Sequence, residues 1–259
     1  MSEFNFIFLG TSAYDYSKKL ETEFKDKFGY DERRAACGLL NGQYLIDCGF
    51  HCADSLRIAK IDKTKITDII ITHLHDDHCN FAFIEDLAKI KKEPLNVYVR
   101  HDAEVPEINN VNWVKMDKMK EYSLPDGTTV KGYYANHDES AFPQHLLFEK
   151  NGKKFMYACD GAWFLRGTYY ALRDVKLSLF VLDGTCGDYE GEWRMAEHNS
   201  IPMIRLMMPS LKVWGIIDDN TETYISHIAP SLHKPHFETV KIMEKMGVKV
   251  AYNGLKVEI

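Results

Sequence analysis

The sequence predicts a single α/β domain that spans residues 1–259. Short apolar runs typical of strands outnumber segments with helical periodicity, and the helical segments fall between groups of strands. Hydrophobic residues make up 45% of the chain, which is enough for one substantial core. The sequence contains no internal repeat, low-complexity tract or long Pro/Gly/Ser linker that would mark a boundary between two domains.

Strands are predicted wherever a short apolar or alternating run is bounded by turn residues. The pair Asn151–Gly152 between two such runs predicts a β-hairpin. In chain order, the predicted strands are FNFIFLG, QYLIDCG, TDIIITH, LNVYVR, TTVKGYY, the hairpin HLLFEKNGKKFMYACDG, LSLFVLDG, KVWGIID and TYISH.

Three segments have the periodicity of helices. They are FAFIEDLAKIKK, then WRMAEHNSIPMIRLMMPS with a break at Pro202, and PHFETVKIMEKMG, in which Gly247 is expected to cap the C-terminus.

Composition and charge exclude several classes of function. The net charge of -6 argues against a broad nucleic-acid surface, which usually needs clustered Lys and Arg. A signal peptide is not evident at the N-terminus, and a run of about 18 apolar residues, as a membrane span requires, does not occur. The six cysteines are scattered without a CxxC pair, which favours buried thiols in a reducing cytoplasm.

The stretch THLHDDHCNF, residues 72–81, is the strongest chemical signal in the chain. His73 and His75 alternate after an apolar strand and can face one side, whereas the adjacent Asp77 and His78 diverge and can serve a second metal ion. Imidazole and carboxylate ligands suit Zn, Mn or Fe. A solvated loop rich in His and Asp is the alternative, but three histidines within six positions directly after a buried strand favour metal binding.

Several predicted strands end at a polar residue with useful chemistry. These residues are Asp47, His73, Asp160, Asp183 and His227. Because strand ends feed the loops on which active sites are built, the sequence predicts a functional site at one edge of a sheet.

The motif H-x-H-x-D-H after an apolar strand resembles that of the metallo-β-lactamase superfamily of hydrolases. The strand YLIDCG upstream and isolated acid and histidine positions downstream extend the resemblance over nearly the whole chain. The resemblance implies an αββα sandwich with two divalent metal ions at one edge between two sheets. It also implies seven ligands: His73, His75 and His137 on one ion, Asp77, His78 and His227 on the other, and Asp160 as the bridge between them.

Two further residues have positions in this family pattern. Asp47 is expected to orient a ligand imidazole by accepting its second N–H. Asp76, the variable position of the motif, is expected to face solvent or to cap a helix.

The chain ends are similar to one branch of the superfamily, which contains ribonuclease Z and the accessory phosphodiesterase of carbon–phosphorus lyase. FIFLGTSA and ERRAACGLLNGQYLIDCG resemble the opening of that branch, and FVLDGTCGDYEGEWRMAEHNSI aligns His198 with a histidine that protonates the leaving group. The resemblance implies a phosphodiesterase that cleaves a small or cyclic phosphodiester with a metal-activated water, with Asp160 and His198 as its catalytic residues. From the residues alone, a helix-surface position without a role remains open for His198.

The sequence also departs from the family in ways that bear on the substrate. Cys79, Asn80 and Phe81 follow the motif where β-lactamases and glyoxalase II carry glycines, which disfavours lactams and thioesters. Two alternatives remain: a tRNA 3′-processing endoribonuclease, disfavoured by the acidic balance and the lack of a long basic insertion, and a non-catalytic ligand sensor, which would not need a complete ligand set. The expected partner is a small-molecule phosphodiester, without membrane or nucleic acid, and a homodimer is left open.

Other polar residues carry weaker signals. Tyr14, Asp15 and Tyr16 follow the first strand and are candidates for the wall of a substrate pocket. Arg33 and Arg34 are candidates for a phosphate contact or for surface salt bridges.

Three further histidines are expected to have no catalytic role. His233 and His236 are expected to be exposed near a helix start, and His145 to be a structural histidine with its hydrogen bonds satisfied.

Overall fold

Two seven-stranded β-sheets pack face to face in the computed structural model, which describes residues 2–259. The strands are β1 (Asn5–Gly10), β2 (Cys37–Leu40), β3 (Tyr44–Ile46), β4 (Asp68–Ile70), β5 (Leu95–Arg100), β6 (Val111–Met116), β7 (Glu121–Ser123), β8 (Thr129–Tyr134), β9 (Gln144–Lys150), β10 (Lys153–Ala158), β11 (Leu179–Asp183), β12 (Glu222–Ser226), β13 (Lys249–Val250) and β14 (Lys256–Glu258). The α-helices are α1 (Cys52–Ile58), α2 (Phe81–Lys89), α3 (Arg166–Ala171), α4 (Ile201–Val213) and α5 (His236–Met243).

The two sheets have related topologies. The first has the order β14-β1-β2-β3-β4-β5-β6 and the second the order β13-β12-β11-β10-β9-β8-β7. In the first sheet β3 to β6 are parallel, and in the second β10 to β13 are parallel, while the remaining pairs are antiparallel. Because parallel strands end at the same edge of a sheet, each sheet presents a row of carboxyl-terminal strand ends from which a site can be built.

Three apolar clusters give the molecule its layers. One lies between the sheets, where the rings of Phe6 on β1 and Phe155 on β10 are 4.8 Å apart. A second joins the first sheet to α1 and α2, and a third joins the second sheet to α4 and α5. The arrangement is the αββα sandwich that the resemblance implied, formed as a single domain. Among residues 2–259, no helix is long and apolar enough to cross a membrane.

The isoleucine run before the histidine motif shows how the sequence builds these layers. Ile70 packs between the sheets, whereas its neighbour Ile69 packs under the helices that cover the first sheet. Successive strand residues point to opposite faces, so a strand that is covered on both faces needs a continuous apolar run. Complete burial of each isoleucine stabilises the fold by about 1.5–3 kcal/mol and fixes the position at which the motif leaves the core.

The segment KVWGIID was predicted to be a strand, and this prediction was wrong. It forms the end of α4 and the turn that follows. Gly215 adopts a left-handed conformation (φ 63°), as Gly247 does elsewhere in the chain (φ 68°). Ile216 and Ile217 pack beneath the helix layer. A short apolar run does not by itself distinguish a strand from a buried helix end, and here the helix end prevails.

The segment WRMAEHNSIPMIRLMMPS forms two helices rather than one broken at Pro202. A 3₁₀ turn covers Trp193–Ala196, and α4 begins only after Ser200, whose hydroxyl accepts a hydrogen bond from the backbone N–H of Met203. Pro202 lies in the first turn of α4, where its missing N–H costs no hydrogen bond. The intervening residues, which include His198, are therefore not helical. The predictions also missed seven elements, each of at most seven residues: β2, β6, β7, β13, β14, α1 and α3.

Candidate metal site

The strand ends of both sheets bring all seven predicted ligands together at one edge of the sandwich. The ligands fall into two groups that share Asp160, and each ligand atom lies within 4.8 Å of the others in its group. A third group with the same spacing joins Asp160 and His227 to Asp183 and His198. The first group is His73, His75, His137 and Asp160, and the second is Asp77, His78, Asp160 and His227. This division is the one that the resemblance implied, although the ligand role of each residue remains a prediction.

The motif loop is fixed against the end of β3. The backbone N–H of Cys48 donates to the carbonyl of His78 at 2.7 Å, and that of Asn80 donates to the carbonyl of Cys48 at 3.2 Å. A Cβ atom at Gly49 would lie 1.8 Å from the carbonyl oxygen of Asp77, so this close approach requires glycine. The cysteine–glycine pair after the strand YLID therefore holds Asp77 and His78 in place.

Three residues at strand ends have a left-handed backbone that residues other than glycine seldom adopt. They are Asp47 (φ 61°), Asp160 (φ 54°) and His227 (φ 54°). They follow β3, β10 and β12, and all three side chains are buried in or beside the two groups. Such a conformation costs on the order of 1–3 kcal/mol per residue and persists only where the surrounding structure enforces it.

Asp160 lies between the two groups of histidines. Its Oδ2 atom is 3.1 Å from Nε2 of His73 and 3.2 Å from Nε2 of His78, and its Oδ1 atom is 2.8 Å from Nδ1 of His227. The contact between Asp160 Oδ1 and His227 Nδ1 does not have hydrogen-bond geometry. Among residues 2–259, Oδ1 of Asp160 is buried without a hydrogen-bond partner, and so is Nε2 of His78. Buried donor and acceptor atoms that converge without pairing are what the ligands of a shared cation require. The His and Asp set therefore fits a divalent metal site.

Two histidines of the first group, His73 and His137, have lowered pKa values. Burial lowers the pKa of His73 to about 4 and that of His137 to about 3, against the partial opposing effect of the Asp160 carboxylate. Both rings are therefore neutral near pH 7, the state in which imidazole binds a metal ion.

The second group is dominated by its carboxylates. Burial lowers the pKa of His227, but Asp160 outweighs it and raises the pKa to about 10; the pKa of His78 is raised well above its usual range for the same reason. The pKa of Asp160 is held well below its usual value because the two imidazoliums outweigh the effect of burial. The positively charged imidazole rings thus balance the buried carboxylates. A metal ion that binds here must displace the extra protons of the rings.

Asp47 supports the second group from behind. It is fully buried, and its Oδ2 atom is 2.7 Å from Nδ1 of His78. Its Oδ1 atom accepts a hydrogen bond from the backbone N–H of Thr72 at 2.7 Å, and the Thr72 hydroxyl donates to the same carboxylate. The contact expected of Asp47 is present, and it leaves Nε2 of His78 to face Asp160.

His198 lies in the same cavity rather than on a helix surface. Its side chain is 12% exposed, its ring is 4.9 Å from that of His137, and it stacks on His227 at 5.5 Å. Nδ1 of His198 is 2.8 Å from Oδ2 of the fully buried Asp183. Although burial lowers the pKa of His198, Asp183 outweighs it and raises the pKa above its usual value.

Asp183 is the functional candidate that sequence reasoning missed. It was noted only as an acid at a strand end, without a role. Its Oδ1 atom accepts hydrogen bonds from the backbone N–H groups of Thr185 and Asn199, and its Oδ2 atom accepts one from the Thr185 hydroxyl. The positions of Asp183 at the end of β11 and His198 in the same connection could have indicated the pair, but nothing in the sequence spacing shows that the chain folds back between them.

A cavity of about 530 Å³ opens over the two groups. His75, Asp77 and His198 lie in its wall, as do Tyr14 and Asp15, as expected of these two loop residues. Tyr16 does not line the cavity, and its ring packs against those of Phe50 and His51 instead. Asp76 is exposed at its edge, as expected, and the cap of α2 is instead Asn80.

The predictions for the two arginines were wrong. The Arg33 guanidinium is buried and donates to the Thr11 hydroxyl at 2.7 Å and to the carbonyl of Ala251 at 2.6 Å. The Arg34 guanidinium is also largely buried and donates to the carbonyl of Phe24 at 2.6 Å. Both hold loops in place rather than forming surface salt bridges.

The three histidines that were expected to have no catalytic role also differ from expectation. His236 is buried and contacts Arg33, and His233 is half-buried, with Nε2 2.5 Å from the carbonyl oxygen of Gly184. His145 is buried as expected, but within residues 2–259 neither of its ring nitrogens has a hydrogen-bond partner. Sequence alone does not reveal such enclosure, because the covering residues are distant in the chain.

Comparison with known proteins agrees with this fold. A family model described as the beta-lactamase superfamily domain matches residues 43–252, which is most of the chain. No curated protein matches the sequence. Three solved structures are similar to the chain: the metallo-beta-lactamase fold protein YhfI from Bacillus subtilis (TM-score 0.75, 12% identity, 100% of both chains covered), human tRNase Z short form (0.66, 17%, 98% of this chain and 99% of that one) and yeast PDE1 (0.71, 12%, 100% of both). At these identities the likeness shows the fold alone.

Proposed function

This chain belongs to the beta-lactamase superfamily, a superfamily of metal-dependent hydrolases, and on that premise we propose that it is a phosphodiesterase that acts on a small or cyclic phosphodiester. One observation carries the proposal: His198, held by the buried Asp183, lies in the same cavity as the two groups of candidate ligands. A proton donor beside a metal site suits a reaction in which an alkoxide departs.

The chain's own residues would hold two divalent ions. His73, His75 and His137 would bind one, Asp77, His78 and His227 the other, and Asp160 has two carboxylate oxygens with which to reach both. When bound, the ions would neutralise charge on the phosphodiester and lower the pKa of a water molecule.

His198 would supply the proton for the leaving group. Asp183 occupies Nδ1, which fixes the orientation of the ring and leaves Nε2 as the nitrogen available to a substrate. An alkoxide is strongly basic and leaves poorly unless it is protonated, whereas a thiolate is stable enough to leave without a proton. An imidazolium held in this way contributes about 10²–10⁴-fold in such reactions, which favours phosphodiesters of ordinary alcohols over thioesters.

One structural neighbour is named for activity on the same class of substrate. Human tRNase Z is named as a ribonuclease, and ribonucleases act on phosphodiester bonds. The absence of glycines directly after the motif, where Cys79, Asn80 and Phe81 stand, also disfavours lactam and thioester substrates.

The test is hydrolysis by the metal-loaded protein of bis(p-nitrophenyl) phosphate, a chromogenic β-lactam and a glutathione thioester, each with and without chelator. We expect chelator-sensitive turnover of the phosphodiester and little turnover of the other two. Robust lactam or thioester hydrolysis with the phosphodiester untouched would refute the proposal. A pre-tRNA substrate cleaved far faster than any small diester would assign the chain to tRNA 3′ processing instead.

A further inference from the structure

Two large aromatic side chains are exposed at the rim of the cavity. Tyr14 is 66% exposed and Trp193 is 75% exposed, and both line the cavity that contains His198. Aromatic side chains bury the largest apolar areas in proteins, so strongly exposed rings beside a cavity indicate a surface on which a ligand packs.

The rim aromatics come from two separate connections, and neighbouring groups support each ring. Tyr14 follows β1, and its ring meets that of Phe50 edge to face at 6.0 Å. Trp193 begins the 3₁₀ turn before α4, and the Arg194 guanidinium lies 5.5 Å from the centre of its ring. Glu192 in turn accepts from Nε of Arg194 at 3.0 Å. Each ring thus has a neighbour that favours its orientation at the rim, which reduces the entropy lost when a ligand binds.

The outer wall of the cavity is acidic. Asp15, Asp76 and Glu197 line it, and the guanidinium of Arg194 is already engaged by Glu192. Asp15 is fixed there because its carboxylate accepts a hydrogen bond from the backbone N–H of Ser231 at 3.1 Å. Such a wall repels additional phosphates beyond the one at the metal site.

We propose that this rim selects a phosphodiester that carries one negative charge and a flat aromatic ring, such as a nucleobase, stacked on Tyr14 and Trp193. The inference rests on the proposed phosphodiesterase function and specifies its substrate class. A volume of about 530 Å³ lies within the range of small-molecule sites and accommodates one such group together with the reacting diester. Stacking of a base on an aromatic side chain tolerates different bases, because every base has a π-face.

The test compares two five-membered cyclic diesters that differ only in the group outside the reacting ring: 2′,3′-cyclic AMP and ethylene phosphate. Loss of one stacking partner typically weakens binding about 5- to 100-fold. Trp193→Ala and Tyr14→Ala should therefore raise KM for 2′,3′-cyclic AMP at least about 5-fold more than they raise KM for ethylene phosphate. Trp193→Phe, which keeps a ring, should recover most of the loss.

Tyr170→Ala is the matched control, because Tyr170 is 55% exposed on α3 and packs against Trp214 rather than at the cavity. This variant should change the kinetic constants for neither substrate. An equal loss on both substrates in the rim variants, or no loss on either, would overturn the inference while leaving the phosphodiesterase function standing. If the wild-type protein hydrolyses bis(p-nitrophenyl) phosphate but neither cyclic diester, this inference alone fails. If it hydrolyses none of the three, the proposed function fails as well.

The charge requirement has its own measurement. A 5′-phosphate added to 2′,3′-cyclic AMP places extra negative charge away from the reacting diester and should lower kcat/KM. Asp15→Asn, which keeps the shape of the side chain, should reduce that penalty by about 2–5-fold, the size of an exposed charge interaction. Faster turnover of the 5′-phosphorylated compound by the wild-type protein would overturn the single-charge requirement.

Discussion

Two buried carboxylates, Asp47 and Asp183, each hold a histidine in nearly the same way, one in each sheet of the sandwich. Asp47 follows β3 and contacts Nδ1 of His78 at 2.7 Å. Its carboxylate is fixed by the backbone N–H and the hydroxyl of Thr72.

The second assembly repeats these features at the end of β11. Asp183 contacts Nδ1 of His198 at 2.8 Å, and the backbone N–H and hydroxyl of Thr185 fix its carboxylate. Both carboxylates are fully buried.

The two assemblies differ in what the second ring nitrogen meets. Nε2 of His78 faces Asp77 and Asp160 within a candidate metal group, whereas His198 lines the cavity where a substrate would bind. A carboxylate behind a metal ligand fixes its tautomer and makes it a better ligand. The same carboxylate behind a free imidazole instead keeps a proton on it. One local construction thus serves two kinds of chemistry, and the position in the fold decides which.

The largest effect is expected at Asp160, to which both candidate groups converge. Asp160→Ala removes the one carboxylate that the two groups share, so bound metal and activity should both fall to near background. Metal content by mass spectrometry and the rate on bis(p-nitrophenyl) phosphate measure the two effects. Asp76→Asn, at an exposed acid of the same loop, is the control and should keep its metal. Full metal content with full activity in Asp160→Ala would contradict a shared ligand.

The next effect is expected at His198. His198→Ala should keep its metal but lose about 10²–10⁴-fold in rate on a diester with a poor leaving group. With p-nitrophenolate, which leaves without much help from a proton, the loss should be much smaller. Equal losses with both leaving groups would indicate that His198 binds the substrate rather than protonating the leaving group.

Asp47 and Asp183 should respond differently to the same substitution. Asp47→Asn should weaken metal binding by about 10–100-fold, as is typical when the carboxylate behind a ligand histidine is lost. Asp183→Asn should leave metal affinity nearly unchanged, but it removes the charge that raises the pKa of His198. The imidazolium then loses its proton at lower pH, so the alkaline limb of the pH–rate profile should move to lower pH. If both variants lose metal equally and neither limb moves, the two assemblies have the same role.

The smallest effect is expected at His51, a partly buried histidine without a carboxylate behind it. Its Nδ1 atom accepts a hydrogen bond from the backbone N–H of Ala35, and burial, aided by the charge of Arg34, lowers its pKa to about 4. The unfolded chain, with an ordinary histidine pKa of about 6.5, takes up a proton as the pH falls below that value, and the folded chain does not. The free energy of unfolding should therefore decrease from about pH 6.5 to about pH 4.

Urea unfolding across this range should show a shallower decrease in His51→Asn than in the wild-type protein. His101→Asn, at a side chain that is 39% exposed, provides the control. Identical slopes in the wild-type protein and His51→Asn would contradict the lowered pKa.

Features formed by residues close together in the chain could be predicted from the sequence, whereas features formed by distant residues could not. The motif at residues 73–78 is visible because it is contiguous and follows a buried strand. His137, Asp160 and His227 are single residues, and they were identified only through their order in a family pattern. The pairing of Asp183 with His198 depends on a fold-back between β11 and α4 that leaves no periodic signal. Burial of Arg33 was missed for a similar reason, because Thr11 and Ala251, which enclose it, lie far away in the chain.

The left-handed backbone at Asp47, Asp160 and His227 has a consequence for how the chain can drift under mutation. Each such conformation costs on the order of 1–3 kcal/mol, against a net stability of about 5–15 kcal/mol for a typical domain. Glycine would relieve this cost at all three positions, so selection for stability alone would tend to erase these side chains. Their joint presence is what a chain selected for activity retains, and a variant library screened only for folding should accumulate glycine at His227 before it loses the sandwich.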